Sequence, residues 1–308
     1  MTRLKPAARC FALLLVLQSS FFIGAARAEA PKPALPAAEV EKQAEIYRSR
    51  GVARPEGYVI DRSLLSYAYT LPAEFNGALA GLGAGDRWLD IGAGEGNAVL
   101  DYSTAKYDVV QFKGRERPDV RARAVAMSIE DRRTPRWHDT AANLEDKQIQ
   151  YVFGRSLRDY SREELGRFNV ISDVMGGFSY TKSLSAFMEK TLDFLEVGGT
   201  FYSVLQDVHA EDGSNRPHYE GSPFLTEIVK ADGSEMRICS WLKSIGCVEV
   251  TCELKPSWTP PIEIYRVHKV CDKVSVPNLE PVHFEAGTPP ERRFRLMSPP
   301  APQTTATR

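Results

Sequence analysis

The sequence predicts an α/β fold, and three observations support this prediction. A short apolar run at residues 87–91 leads directly into three glycines on alternate positions, and residues 97–106 continue with a helical pattern. Apolar strand patterns and helical patterns then alternate as far as Leu205. Residues 29–308 amount to about 280 residues, which is enough for one α/β domain with additions.

The glycine-rich turn at residues 92–96 is the central motif of the chain. A strand that ends in glycines and continues as a helix brings backbone N–H groups to the carboxyl edge of a sheet, where the helix N-terminus adds positive partial charge. The expected ligand is therefore a small molecule with a negative group and a ribose. Asn97 stands where a dinucleotide-binding turn has its third glycine, so the spacing disfavours NAD. Alternatively, the glycines only let the strand and the helix pack closely.

Residues 90–96 (Asp-Ile-Gly-Ala-Gly-Glu-Gly) resemble the first motif of the class I S-adenosylmethionine-dependent methyltransferases. Residues 195–199 (Leu-Glu-Val-Gly-Gly), about 100 residues later, are similar to that family's Leu-Lys-Pro-Gly-Gly turn, which predicts a left-handed helix cap. The resemblance covers residues 58–270. It implies a doubly wound, mostly parallel, seven-stranded sheet of order 3-2-1-4-5-7-6 with an antiparallel last strand, preceded by lid helices.

The resemblance implies S-adenosylmethionine as the cofactor and methyl transfer as the reaction. The loop would approach the methionine part of the cofactor, and Asp90 would orient the loop or bind the amine through water. The loop residues in this assignment are Gly92, Ala93, Gly94 and Gly96.

The positions that would bind the ribose and the adenine depart from the family pattern. An acid normally ends the second strand, where one carboxylate matches two vicinal hydroxyls. Ser128 occupies that place, so Glu130 or Asp131 would bind the ribose; alternatively, both are surface acids. After the third strand the family often has Gly-Asp, and this chain has Arg155 and then Ser156, whose hydroxyl we expect to bond the base.

Two residues are candidates for catalysis. Asp173 ends the predicted fourth strand, beside the expected reversal of strand order, and would accept a proton or hold a substrate amine. Alternatively, it caps the next turn or helix. His209, in the polar loop 206–221, would be a general base or an ordinary surface residue. The sequence contains no Cys-x-x-Cys metal spacing, and the acceptor, expected to be a small molecule, is unassigned.

The N-terminal residues 1–28 have the pattern of an export signal. Arg3, Lys5 and Arg9 precede a mostly apolar stretch at residues 10–24, and small residues follow around position 27. We expect a periplasmic or secreted protein with no stable membrane span after signal cleavage. An uncleaved anchor is an alternative, and a start at a valine codon such as Val40 would leave the protein in the cytoplasm.

The charge balance argues against one class of partner. Removal of residues 1–28 removes four of the 39 basic residues and none of the 40 acidic ones, which leaves 35 against 40 and a net charge of about −5. This balance disfavours nucleic-acid binding. We expect a linker with a short helix at 29–57, the methyltransferase-like domain at 58–271, and an extended or disordered Pro-rich tail at 272–308, in which residues 292–296 dock.

Four cysteines follow the signal segment. Cys247 and Cys271 lie at the outer ends of two predicted strands, so a hairpin would bring them together as a disulfide; alternatively, they are buried thiols. Export conflicts with the cytosolic origin of S-adenosylmethionine. A second hypothesis is therefore an exported, non-catalytic protein of the same fold that binds a nucleoside-like or other small ligand.

Overall fold

A computed structural model describes residues 62–104, 120, 122–144, 148–206, 226–255, 262–285 and 290–297. The predicted signal segment, the linker and the polar loop that contains His209 lie outside the described residues.

Within these described residues, eleven strands form two sheets. They are β1 (Arg87–Ile91), β2 (Arg123–Met127), β3 (Ile149–Val152), β4 (Phe168–Val174), β5 (Leu195–Gln206), β6 (Thr226–Val229), β7 (Glu235–Met236), β8 (Val248–Lys255), β9 (Ile262–Lys269), β10 (Leu279–Glu285) and β11 (Glu291–Leu296). The larger sheet has the order β3-β2-β1-β4-β5-β9-β8, with β9 antiparallel to both of its neighbours and the other pairs parallel. The predicted strand order and antiparallel strand are confirmed.

Helices cover both faces of this sheet. They are α1 (Leu64–Thr70), α2 (Ala73–Gly81), α3 (Asn97–Thr104), α4 (Pro135–Ala142), α5 (Arg162–Leu165), α6 (Gly177–Tyr180), α7 (Leu184–Phe194) and α8 (Ile238–Lys243), with a 3₁₀ turn at Leu157–Asp159. Side chains alternate along each strand, so neighbouring residues of β1 serve different cores. Trp88 packs in the apolar cluster with α1, α2 and α3, whereas Leu89 packs in the cluster with α7 and α8.

The expected left-handed cap after α7 is wrong. The helix ends at Phe194, and Leu195 is already extended because its buried side chain begins β5 and pairs with Phe168 of β4. Gly198 does have a positive φ of 85°, but it lies inside β5, where the register with β4 shifts. The glycine therefore accommodates an irregularity of the strand.

The prediction of an irregular tail is wrong for residues 279–285 and 291–296. These residues form β10 and β11, which join β6 and β7 in a four-stranded sheet of order β10-β11-β6-β7. Along β11, buried Arg292 and Phe294 alternate with exposed neighbours, a period of two that the high proline content hid. Pro281 lies in β10 next to a register shift, where a strand tolerates proline. The expected docking of residues 292–296 is confirmed.

In the part of the chain that the structure describes, two disulfides join elements at the hairpin of β8 and β9. The predicted Cys247–Cys271 bridge is confirmed, with Cα atoms 5.2 Å apart at the outer end of β8 and β9. A second bridge, Cys239–Cys252, joins α8 to β8 and was not predicted. Within the described part of the chain, no helix combines the length and the apolarity needed to cross a membrane.

Candidate functional site

The candidate site lies at the carboxyl ends of β1 and β4, the two central strands. The chain leaves β1 toward β2 on one side and later returns to form β4 on the other, so the strand order reverses between them. Ligands of open α/β sheets bind in the crevice at such a reversal. The glycine loop follows β1 there, and Asp173 is the penultimate residue of β4.

All three motif glycines adopt a left-handed backbone, with φ of 73° at Gly92, 58° at Gly94 and 79° at Gly96. A Cβ on Gly96 would lie 2.5 Å from the ring of Trp137 on α4, so packing explains that glycine. A Cβ on Gly92 would lie 2.6 Å from the Cα of Gly176, which follows β4. Gly92 is also exposed, unlike Gly94 and Gly96. Gly92 therefore combines a close contact between the two loops with access for a ligand.

Part of the loop backbone is used within the fold. The N–H of Ala93 donates to the carbonyl of Met127 at 2.9 Å, and the N–H of Gly96 donates to the carbonyl of Ala93 at 2.9 Å. The hydroxyl of Tyr151, on β3, donates to the carbonyl of Gly94. The N–H groups of Ala93 and Gly96 are therefore used within the fold, where their bonds fix the shape of the loop.

Asp90 is fully buried and joins the glycine loop's strand to the lid helix α1. Its Oδ2 accepts a hydrogen bond from the Tyr67 hydroxyl at 3.1 Å, and its Oδ1 accepts one from the Ser172 hydroxyl at 2.7 Å. Ser172 in turn accepts from the indole N–H of Trp88 at 2.9 Å. Burial raises the pKa of Asp90 to about 7, against the opposing effect of its two hydrogen bonds. Asp90 thus holds β1, β4 and α1 together.

Asp173 is fully buried, and its contacts match the alternative in which it caps the turn and helix that follow β4. Its Oδ1 accepts from the N–H of Gly176 at 2.8 Å, and its Oδ2 accepts from the N–H of Phe178 at 2.9 Å, at the start of α6. Burial raises the pKa of Asp173 to about 7, although these backbone hydrogen bonds lower it. Asp173 therefore fixes the loop after β4, and a direct role in catalysis stays a prediction.

The two acids expected at the ribose each pair with a nearby arginine. Glu130 lies 2.6 Å from a guanidinium nitrogen of Arg132. Both oxygens of Asp131 accept from Arg133, at 2.8 and 2.7 Å. Partial burial opposes ionisation of Asp131, but the hydrogen bonds from Arg133 prevail and hold its pKa below the usual value. The acids do follow β2 as expected, but they are not free carboxylates.

Ser156 lies at the start of the 3₁₀ turn, and its hydroxyl donates to Oδ2 of Asp159 at 2.5 Å. The backbone N–H of Ser156 donates to the same oxygen at 3.0 Å. This local capping occupies the hydroxyl that we expected to bond the adenine. His209, the other candidate outside the central strands, falls in a segment that the structure does not describe.

Sequence reasoning missed three contributors to the site. Gly176 packs against Gly92, and the Gly-Gly pair one residue after β4 was the available signal for this contact. Met175 adopts a left-handed backbone with φ of 54°, unusual for a residue with a side chain. Its sulfur accepts from the guanidinium of Arg62 at 3.5 Å. Tyr151 connects the glycine loop to the segment after β2, and no local pattern indicated this role.

The strand order, the antiparallel β9 and the glycine loop after β1 are those of the class I, Rossmann-like methyltransferase fold. No family model matches the chain, and no curated protein matches it. Among the described residues, no group of His, Cys, Asp and Glu side chains is placed to hold a metal ion.

Several solved methyltransferase structures are similar to the chain. A geranyl diphosphate methyltransferase in complex with GPP and sinefungin is 17% identical over 46% of this chain and 47% of its own length, with a TM-score of 0.31. An rRNA methylase from Streptococcus thermophilus is 12% identical over 69% of this chain and 100% of its own, with a TM-score of 0.36. A glycopeptide N-methyltransferase complexed with sinefungin is 13% identical over 75% of this chain and 82% of its own length, with a TM-score of 0.35. The chain thus spans about half the length of the first of these, and since all three TM-scores are below 0.5, the fold assignment rests on the strand order.

Proposed function

We propose that the chain binds S-adenosylmethionine at the glycine loop and transfers its methyl group to a small-molecule acceptor. The observation that carries this proposal is Gly92, exposed and left-handed between the ends of β1 and β4. A side chain there would overlap the backbone of Gly176, so glycine lets the two loops meet, while the exposed backbone of Gly92 forms the floor of the crevice of the sheet.

The residues present fit such a ligand in part. The exposed backbone at Gly92 would face the methionine part of the cofactor. Glu130 or Asp131 would bind the ribose once its arginine partner moves aside, and Ser156 would reach the base only if it left Asp159. Bound S-adenosylmethionine supplies a methyl group on a sulfonium, which is already activated for in-line displacement.

The contribution of the protein to catalysis is then positioning of the acceptor and, where the acceptor requires it, removal of a proton. Asp173 contributes to positioning, since it fixes the loop after β4 through backbone hydrogen bonds. His209 is the remaining candidate for a general base. The excess of acidic residues after the signal segment supports a partner other than nucleic acid.

A second candidate function is favoured by two observations. The predicted ribose acids are paired with Arg132 and Arg133, and all four described cysteines form disulfides, which persist in oxidising compartments. The disulfides support export, which would separate the protein from cytosolic S-adenosylmethionine. The alternative is therefore an exported, non-catalytic protein of this fold that binds a nucleoside-like or other small ligand.

Calorimetry of the purified protein with S-adenosylmethionine, S-adenosylhomocysteine and NAD tests the proposal. We expect binding of the first two with dissociation constants between about 1 μM and 1 mM, the range of most KM values, and weaker binding of NAD. Absence of binding to both sulfur nucleosides would reject the methyltransferase. Incubation with methyl-labelled S-adenosylmethionine and small-molecule fractions then separates the two candidates, because only the enzyme transfers the label.

A further inference from the structure

The four-residue helix α6 follows the candidate site and is held at both ends by buried charged groups. A helix of this length has no stability of its own, so its position depends on its contacts. At its start, Asp173 accepts hydrogen bonds from the N–H groups of Gly176 and Phe178. At its end, the guanidinium of Arg292 donates to the carbonyls of Phe178 and Thr181, at 2.9 and 3.1 Å.

Arg292 comes from β11, in the segment that the sequence predicted to be irregular. It is 1% exposed, and its Nε and Nη2 both donate to the hydroxyl oxygen of Thr226 on β6, at 3.2 and 2.9 Å. A buried cation is costly unless its hydrogen-bond donors are satisfied, and these bonds engage all three guanidinium nitrogens of Arg292. Burial is the larger effect on the pKa of the Asp173 carboxyl group and raises it, whereas Arg292 acts to lower it.

The loop that Arg292 holds is the one that touches the glycine motif. A Cβ on Gly176 would lie 3.1 Å from the Cα of Gly92 and 2.5 Å from the carbonyl oxygen of Ile91, so the two backbones are already in contact. A shift of α6 would therefore move Gly176 against or away from Gly92 and change the floor of the crevice. This chain of contacts runs from β11 through α6 to the residue that carries the proposed function.

We infer that Arg292 is a positioning residue: from the C-terminal sheet it holds α6 and Gly176 in place, and through them it sets the shape of the ligand site at Gly92. The effect on a ligand rests on the proposed function, whereas the effect on the loop does not. Lysine does not replace the arginine, because its three N–H groups share one nitrogen, whereas Arg292 reaches the two carbonyls and the hydroxyl through three separate nitrogens of a planar group.

The test compares Arg292→Lys with Arg293→Lys, its exposed neighbour on β11, which pairs with Glu227. Hydrogen exchange measures the protection of residues 176–181, and calorimetry measures S-adenosylhomocysteine affinity. We expect Arg292→Lys to speed exchange in that segment and to weaken binding by about tenfold, within the range typical of coupling between sites. Arg293→Lys should change neither quantity.

Leu279→Ala, which truncates a buried side chain on the adjacent strand β10, controls for a general loss of stability. It should lower the melting temperature while leaving the affinity unchanged.

If Arg292→Lys does not fold, Thr226→Val replaces it, because valine removes the oxygen that two guanidinium nitrogens share. Unchanged exchange at 176–181 in the folded variant would overturn the inference, and faster exchange with unchanged affinity would overturn its link to the ligand. If the unmutated protein binds neither sulfur nucleoside, the proposed function fails, and exchange alone decides whether Arg292 holds the loop.

Discussion

Replacement of Gly92 by alanine tests both the backbone of the glycine loop and its contact with the loop after β4. A non-glycine residue at φ of 73° costs about 1–2 kcal/mol of backbone strain. The new Cβ would lie 2.6 Å from the Cα of Gly176, which cannot move as a flexible side chain would. Overpacking of this kind adds about 1–3 kcal/mol. We therefore expect Gly92→Ala to lower the free energy of unfolding by about 2–5 kcal/mol.

Gly233 provides a matched control for this substitution. Its φ is 81°, close to that of Gly92, but a Cβ there would meet no atom within 4 Å. Gly233→Ala should therefore cost only the strain of about 1–2 kcal/mol, and the difference between the two variants in urea unfolding measures the contact. Equal losses would refute the contact between Gly92 and Gly176. Calorimetry with S-adenosylhomocysteine should show weaker binding for Gly92→Ala and unchanged binding for Gly233→Ala.

Three further predictions concern the scaffold of the site. Tyr67→Phe removes a buried hydrogen bond to Asp90 and should lower the free energy of unfolding by about 1–3 kcal/mol, since a buried acceptor loses its donor; an unchanged urea midpoint would contradict this bond. Burial raises the pKa of Asp90 from its ordinary 3.8 to about 7, so the folded protein favours the protonated carboxyl group. The stabilisation from this protonation is complete below pH 3.8 and is lost as the pH rises toward 7. Between pH 5 and pH 7, the free energy of unfolding of the unmutated protein should therefore fall relative to that of Asp90→Asn. If the two free energies change with pH in parallel, the pKa of Asp90 is not raised. Joint replacement of Cys247 and Cys271 by serine opens a bridge with a sequence separation of 24 and should cost about 2–4 kcal/mol; free thiols in unreduced peptides of the unmutated protein would disprove the bridge.

The fold was predictable because local patterns and a motif with strict spacing pointed the same way. The bounds of β1 agree with the apolar run that predicted it, and the glycine loop indicated which strand is central. The second sheet was not predictable from local pattern. The strand β11 pairs with β6 across a large separation in sequence, and its buried positions include Arg292, whose charge ordinarily indicates an exposed residue.

The sequence predicted the places of the candidate residues in the fold better than it predicted their contacts. Asp90, Gly92 and Asp173 all lie at the expected end of the sheet, because residue spacing alone places them at strand ends. Their hydrogen-bond partners could not be read from spacing. Asp90 pairs with Tyr67 and Ser172, and Asp173 with the backbone after β4, contacts that depend on how distant segments pack.

The arginine pairs at the end of β2 do not by themselves exclude a ribose. Glu130 is buried, with an exposed side-chain fraction of 11%, whereas Arg132 keeps 25%, so the ion pair reaches solvent mainly on the side of the arginine. Removal of one partner of a buried ion pair costs about 3–5 kcal/mol, and each hydrogen bond from a hydroxyl to a charged group contributes about 1.5–3 kcal/mol. Two ribose hydroxyls on Glu130 would therefore roughly offset the loss of Arg132, with the arginine turned toward solvent. Asp131 is the poorer candidate, because Arg133 occupies both of its oxygens and a third bond comes from the Arg133 backbone N–H. Of the two acids, Glu130 is thus the one through which the cofactor would be held.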